Sequence, residues 1–184
     1  YPNDITILTL GSTTNLAKAL EIDPSIKHKA KMLSMGIITE KLLINNKVMD
    51  ELNFSVDHKA SIKVLTEMED ITILTANNCL DFYVTLREID DIFEKETYLR
   101  SKSRAWFDFH SKDYDIDYII IWDLVAAVYF TNPELFIDDK RKMSFVNPEM
   151  GLIKEDENGK IINMPKIKDR CLYIDTVRKV FKDN

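Results

Sequence analysis

A chain of 184 residues, 45% of them apolar, has the material for one domain with a sizeable core. Its net charge of -6, with the basic residues dispersed rather than gathered into a stripe, argues against a nucleic-acid surface, and its apolar runs fall far short of the roughly 18 residues that a membrane span needs. Two cysteines, Cys79 and Cys171, are far apart and lack metal-ligand spacing, so they imply neither a disulfide framework nor a zinc site and are expected as reduced core-edge residues.

In chain order, Ile5 to Leu10 is a near-continuous apolar run of the kind expected in a strand buried on both faces. Gly11-Ser12-Thr13 turns the chain into a helix predicted over Thr14 to Leu20 and stopped near Asp23-Pro24. A short helix about Ser25 to Ala30 leads to a second strand, Lys31 to Met35, closed by Gly36. A loop from Ile38 to Asn53 precedes a helix from about Val56 to Met68, whose Ala60, Val64, Leu65 and Met68 fall at helical spacing; Ile71 to Ala76 is a third strand. This alternation predicts an α/β fold with a mostly parallel open sheet and flanking helices.

The second half reads differently. A long helical region is predicted from about Phe82 to His110, broken near Lys95 to Thr97, with Ile89, Ile92, Phe93, Trp106 and Phe107 as its core stripe. An apolar helix ends at Asn132-Pro133, and a β-hairpin from Met143 to Met164 is expected to turn at Glu157-Asn158-Gly159. The amphipathic segment Tyr173 to Phe181 closes the chain; with no repeat or low-complexity linker, residues 1–184 read as one domain. No charged-then-apolar N-terminal segment resembles a signal peptide, and a cytoplasmic location is expected only by default.

The pair Trp122-Asp123 lies inside the run IDYIIIWDLVAAVYF. A carboxylate in so apolar a segment needs a cation or hydrogen bonds. Asp123 is therefore expected to be neutral, the N-cap of the helix DLVAAVYF, or metal-bound. His28, His58 and His110 sit in charged helical contexts and are expected on exposed faces. In open α/β sheets ligands lie beyond the carboxyl ends of the strands, which selects Leu10-Gly11, Met35-Gly36 with the segment to Asn53, and the turn after Ala76. Asn45, Asn46, Glu51 and Asn53 there offer amide and carboxylate groups suited to a polyhydroxyl ligand, and equally suited to loop backbone conformations.

The stretch ITILTLGSTTNLAKALEIDP resembles the nucleoside hydrolase family, the inosine-uridine-preferring N-ribohydrolases, which carry there a strand, a Gly-Pro-Leu-Thr-Asn-type turn with its helix, and then Asp-Pro. Later motifs follow in the family's order: Met35-Gly36 for Met-Gly-Gly, Glu51-Leu52-Asn53 for Glu-Phe-Asn, Val56-Asp57, then Trp122-Asp123 and Asn132-Pro133-Glu134-Leu135-Phe136. The resemblance implies that Asp123 and the backbone carbonyl of Leu10 are calcium ligands. It implies ribose contacts from Met35, Glu51, Asn53 and Asn45, with Asn46 as the alternative to Asn45. It also implies hydrolysis of the N-glycosidic bond of a small-molecule ribonucleoside, with calcium holding the ribose 2′ and 3′ hydroxyls and the attacking water while an aspartate takes the proton. Trp122 stands where pyrimidine-accepting members typically carry a His, and is similar to the purine-preferring members in which an indole stacks on the base.

Departures from the family pattern set further expectations. The Asp-rich strand end Asp-x-Asp-x-Gly-x-Asp-Asp, which supplies two more calcium ligands and the general base, has no match. The chain is therefore expected to be the C-terminal part of such a protein, without a catalytic base of its own, with the first strands missing and the Ile5 to Leu10 strand left at an open edge. The expected partner is a complementing N-terminal segment or a second copy; the alternative is a non-catalytic remnant or a nucleoside- or sugar-binding module. Ile37 replaces the second glycine of Met-Gly-Gly, where it is expected to crowd a ligand's approach to the backbone.

Overall fold

The structure, a computed structural model, describes residues 5–93 and 97–182. The first half runs β1 (Ile5–Thr9), α1 (Thr14–Ile22), α2 (Ile26–Lys29), β2 (Ala30–Met35), the short strands β3 (Leu43–Ile44) and β4 (Lys47–Val48), α3 (His58–Glu67), β5 (Asp70–Leu74) and α4 (Ala76–Cys79). The second half runs β6 (Tyr83–Thr85), α5 (Leu86–Ile92), α6 (Tyr98–Tyr114), β7 (Tyr118–Ile120), α7 (Trp122–Thr131), β8 (Phe136–Ile137), β9 (Lys140–Asn147), β10 (Leu152–Glu155), β11 (Lys160–Asn163), β12 (Lys166–Ile167) and α8 (Arg170–Lys182).

The central sheet has the order β1-β2-β5-β11-β9-β10. Its first four strands are parallel and β9 is antiparallel to both neighbours, which matches the expected mostly parallel sheet. One face buries Met32, Ile71 and Ile73 against Leu16, Leu20, Val64 and Met68 of the α1–α3 layer. The other buries Leu33, Met35 and Leu74 against Val125 and Val128 of α7 and Tyr173 and Val177 of α8. Alternate faces of each strand thus feed two separate apolar layers, so β2 is almost continuously buried. Asp57 caps α3 by accepting the Ala60 N–H at 3.1 Å, and it also accepts the Thr14 hydroxyl at 2.6 Å, which ties α1 to α3.

Several expectations change. β1 lies at the sheet edge with β2 as its partner, as expected of an open edge, so the expected burial on both faces fails and Ile5 and Leu8 are 48% and 37% exposed. The helix expected from Phe82 is interrupted by β6, which pairs with β7, and α5 starts only at the capping box of Thr85 and Glu88. The break expected near Lys95 to Thr97 falls mostly on residues 94–96, outside the described residues; Thr97 caps α6 by accepting the Arg100 N–H.

The expected hairpin also turns elsewhere. β9 pairs with β10 through the turn Pro148 to Gly151, and the segment containing Glu157-Asn158-Gly159 carries the chain across β9 so that β11 pairs on its other edge. Gly159 is required there because a Cβ would sit 2.5 Å from the Met143 carbonyl oxygen. Cys79 is fully buried, whereas Cys171 is exposed at the start of α8 instead of at a core edge. Among the described residues no helix is long and apolar enough to cross a membrane.

Candidate functional site

The carboxyl ends of β1, β2 and β5 open into a cleft of about 640 Å³. It gathers Leu10, Met35, Glu51, Asn53, Trp122 and Asp123, six of the seven residues named from the sequence. Leu10 and Met35 lie at the carboxyl ends of β1 and β2, Trp122 and Asp123 open α7, and Glu51 and Asn53 reach the cleft on the loop from β4 to α3.

Asp123 is not an N-cap. The helix starts one residue earlier, with Ile121 as the cap, so Asp123 sits in the first turn of α7, where the helix dipole favours an anion. The residue is exposed, yet partial burial of its carboxyl group raises its pKa above the ordinary carboxylate value. An N-cap would have spent the carboxylate on the backbone; the first-turn position leaves it to the cleft.

Glu51 is 7% exposed and heavily bonded. Oε1 accepts the N–H groups of Ile37 (3.3 Å) and Phe54 (3.0 Å), and Oε2 those of Phe54 (3.1 Å) and Ser55 (2.9 Å), while the Ser55 hydroxyl donates to the Glu51 carbonyl. Burial still pushes its pKa up against these bonds. Gly36 and Gly151 press on the carboxyl group from two sides: a Cβ would lie 2.9 Å from Oε1 at Gly36 and 2.3 Å from Oε2 at Gly151. Asn53 donates its amide to the Met35 carbonyl at 2.9 Å, which leaves its own carbonyl oxygen to offer a ligand.

Ile37 does not crowd the cleft. It holds φ at 61°, a conformation costly for a β-branched residue, and its fully buried side chain joins the α1–α3 layer instead of the cleft lining. Asn45, the seventh residue, lies outside the cleft. Asn45 and Asn46, at φ 47° and 62°, form the two-residue turn of the β3–β4 hairpin, and the Asn45 amide donates to the carbonyls of Tyr114 and Asp115 at 3.0 Å each.

α6, expected from the sequence to contribute core and exposed faces, also lines the cleft. Trp106, Phe109, His110 and Tyr114 line the cleft at spacings of three, four and eight residues, one face of a helix. Trp106 is 46% exposed rather than core, and it stacks on Phe109 with ring centroids 5.8 Å apart. His110 is 4% exposed rather than on an open face, packed between Trp106 and Tyr114. Its Nε2 has no hydrogen-bond partner among the described residues, and burial pulls its pKa down against the nearby Asp113. The aromatic periodicity was present in the sequence; the charged neighbours disguised its burial.

The model of the inosine-uridine preferring nucleoside hydrolase family matches residues 1–176. The chain belongs to that family. It is similar to uridine nucleosidase 1 of Arabidopsis thaliana, 30% identical over 140 residues that cover 74% of this chain and 42% of that protein. It is similar also to a probable uridine nucleosidase 2 of Oryza sativa subsp. japonica, 25% identical over 73% of this chain and 41% of that protein. This nucleoside hydrolase chain thus spans about two fifths of the length of the curated relatives it matches. In structure it superposes on a plant nucleoside hydrolase (TM-score 0.86, 22% identity, all of this chain and 64% of that one). A purine-preferring ribonucleoside hydrolase from Gardnerella vaginalis gives a TM-score of 0.82 at 19% identity, over all of this chain and 62% of that one. The sheet, with its C-terminal extension across β9, is therefore the nucleoside hydrolase fold.

Proposed function

We propose that the cleft binds a ribonucleoside, and that the protein containing it hydrolyses the N-glycosidic bond to give ribose and free base. The observation that carries this reading is that one cleft is lined both by oxygen donors and by aromatic rings. Leu10, Asn53 and Asp123 bring oxygen atoms that suit hydroxyl groups, the Glu51 oxygens being taken by backbone N–H groups, while Trp106, Phe109, Trp122 and Tyr114 bring π faces that suit a planar base. A nucleoside has the same two halves. Base stacking on an aromatic side chain is worth about 1–3 kcal/mol, and the breadth of this aromatic wall favours purines.

The Asp123 carboxylate has no hydrogen bond or ion pair among the described residues, and partial burial disfavours leaving it so. It and the Leu10 carbonyl are oxygen donors of the kind calcium takes. In number they fall short: calcium takes roughly six to eight oxygens, and among the described residues no group of three or more His, Cys, Asp or Glu side chains is placed to hold a metal. Asp123 and Leu10 would hold calcium together with donors from outside this set, and the base that takes the water's proton would come from there also. Calcium, when bound, would supply a Lewis acid for the ribose hydroxyls and the attacking water. Asn53 would accept from a ribose hydroxyl, Glu51 and Met35 would shape that end of the cleft, and Trp122 would stack on the leaving base.

Release of base from inosine and uridine, with calcium and with chelator, tests this for the chain alone and for the chain joined to an N-terminal segment carrying the aspartates. Hydrolysis is expected only in the joined protein with calcium. No hydrolysis by the joined protein overturns the reading.

A further inference from the structure

The hairpin that removes Asn45 from the cleft acts on it from outside. α6 is 17 residues long and buries only Phe107 and His110, so its own packing fixes it weakly. At one end Asp90 accepts from Arg100 at 3.1 Å and from Arg104 at 2.7 Å. At the other end the last carbonyls of any helix lack intrahelical donors. Here the hairpin supplies them. Asn45 Nδ2 donates to Tyr114 O and Asp115 O, and Lys47 Nζ donates to Asp113 O at 2.5 Å, placing a cation at the negative pole of the helix.

The hairpin is itself anchored. Leu42 and Ile44 at its base are each 2% exposed in the same core layer as Met35 and Val125, and its tight turn needs the positive φ that Asn tolerates. From Val48 the chain runs directly to Met49, Asp50 and Glu51 of the cleft. One short segment thus holds the end of α6 and leads into the lining of the cleft.

We propose that the β3–β4 hairpin is a clasp that positions the base-facing wall. Asn45 and Lys47 are positioning residues: by capping α6 they fix where Trp106, Phe109, His110 and Tyr114 stand, without touching the substrate. This rests on the nucleoside reading of the cleft for its functional half. Its structural half, that the clasp orders α6, stands apart from that reading.

The test uses Asn45→Gly, which keeps the turn and removes the amide, and Lys47→Met, with Lys47→Arg as the variant that retains a cationic donor. Hydrogen exchange of residues 106–114 is measured first, with no ligand. Exchange should accelerate about tenfold in Asn45→Gly and Lys47→Met, a shift of about 1.4 kcal/mol, and return towards the parent rate in Lys47→Arg. In the joined, active protein KM for inosine should rise about tenfold with kcat within about twofold, the pattern of lost uniform binding. Unchanged exchange overturns the clasp. Faster exchange with unchanged KM, or a fall in kcat at constant KM, overturns its positioning role. A joined protein that hydrolyses nothing overturns the functional reading, while exchange still decides the clasp.

Discussion

Replacing Gly151 by alanine is expected to be among the most damaging single-methyl changes in this chain. Two costs add. At φ 63° an L-residue pays about 1–2 kcal/mol of backbone strain. The new Cβ would also lie 2.3 Å from Glu51 Oε2 and 3.0 Å from its Cδ. A carboxylate at the surface would swing aside cheaply. This one is buried and accepts the N–H groups of Ile37, Phe54 and Ser55, and displacing it sacrifices bonds to a charged acceptor worth about 1.5–3 kcal/mol. The sum is about 2.5–5 kcal/mol, read as a shift in urea midpoint at constant slope. Gly11→Ala, with nothing within 4 Å of its Cβ, should stay within about 0.5 kcal/mol. The decisive comparison is the same change in a Glu51→Ala background, where only the strain of about 1–2 kcal/mol should remain. Equal costs in the two backgrounds would refute the collision with Glu51.

Other expectations follow from the same structure. Tyr173 is fully buried and its hydroxyl has no partner among the described residues, so Tyr173→Phe should leave thermal stability unchanged or raise it by up to about 1–3 kcal/mol; a loss would mean the hydroxyl has a partner. Ile37→Gly relieves backbone strain but empties a fully buried site, and because large-to-small core changes cost about 2–5 kcal/mol against about 1–2 kcal/mol of strain, the net is a loss, checked by denaturation. Burial raises the pKa of Glu51, so its folded state binds the proton more tightly than the unfolded one. The stability this adds is fully present below the ordinary value of 4.5 and lost as pH rises through the folded pKa. The parent's stability relative to Glu51→Gln should therefore fall as pH rises above 4.5; a rise would contradict the burial argument.

The parallel half of the fold was legible because β1, β2 and β5 are apolar runs of strand length and α1 and α3 carry helical spacing. What escaped notice lay where one local signal serves two geometries. Asn158-Gly159 has hairpin chemistry but enables a crossing over β9, while the true turn at Pro148 to Gly151 carries a weaker signature. Asn45-Asn46 has the chemistry of a sugar site and of a tight turn; only the third dimension, which places Tyr114 and Asp115 beside it, decides for the turn. His110 among charged neighbours looked solvated because one-dimensional context does not show that Trp106 and Tyr114 enclose it. Asp123 kept its place at the cleft while its local role changed from cap to first-turn carboxylate.

The central claim is that this cleft, with Asp123 in it, works on nucleosides. The most direct measurement is kcat/KM for inosine, with saturating calcium, of Asp123→Asn in the chain joined to an N-terminal segment carrying the aspartates. Because Asp123 is exposed and makes no hydrogen bond among the described residues, folding stability should change by less than about 0.5 kcal/mol. Activity should fall at least about 100-fold, since the amide removes a charge that metal-assisted chemistry needs. Retention of parental kcat/KM by Asp123→Asn would contradict the account.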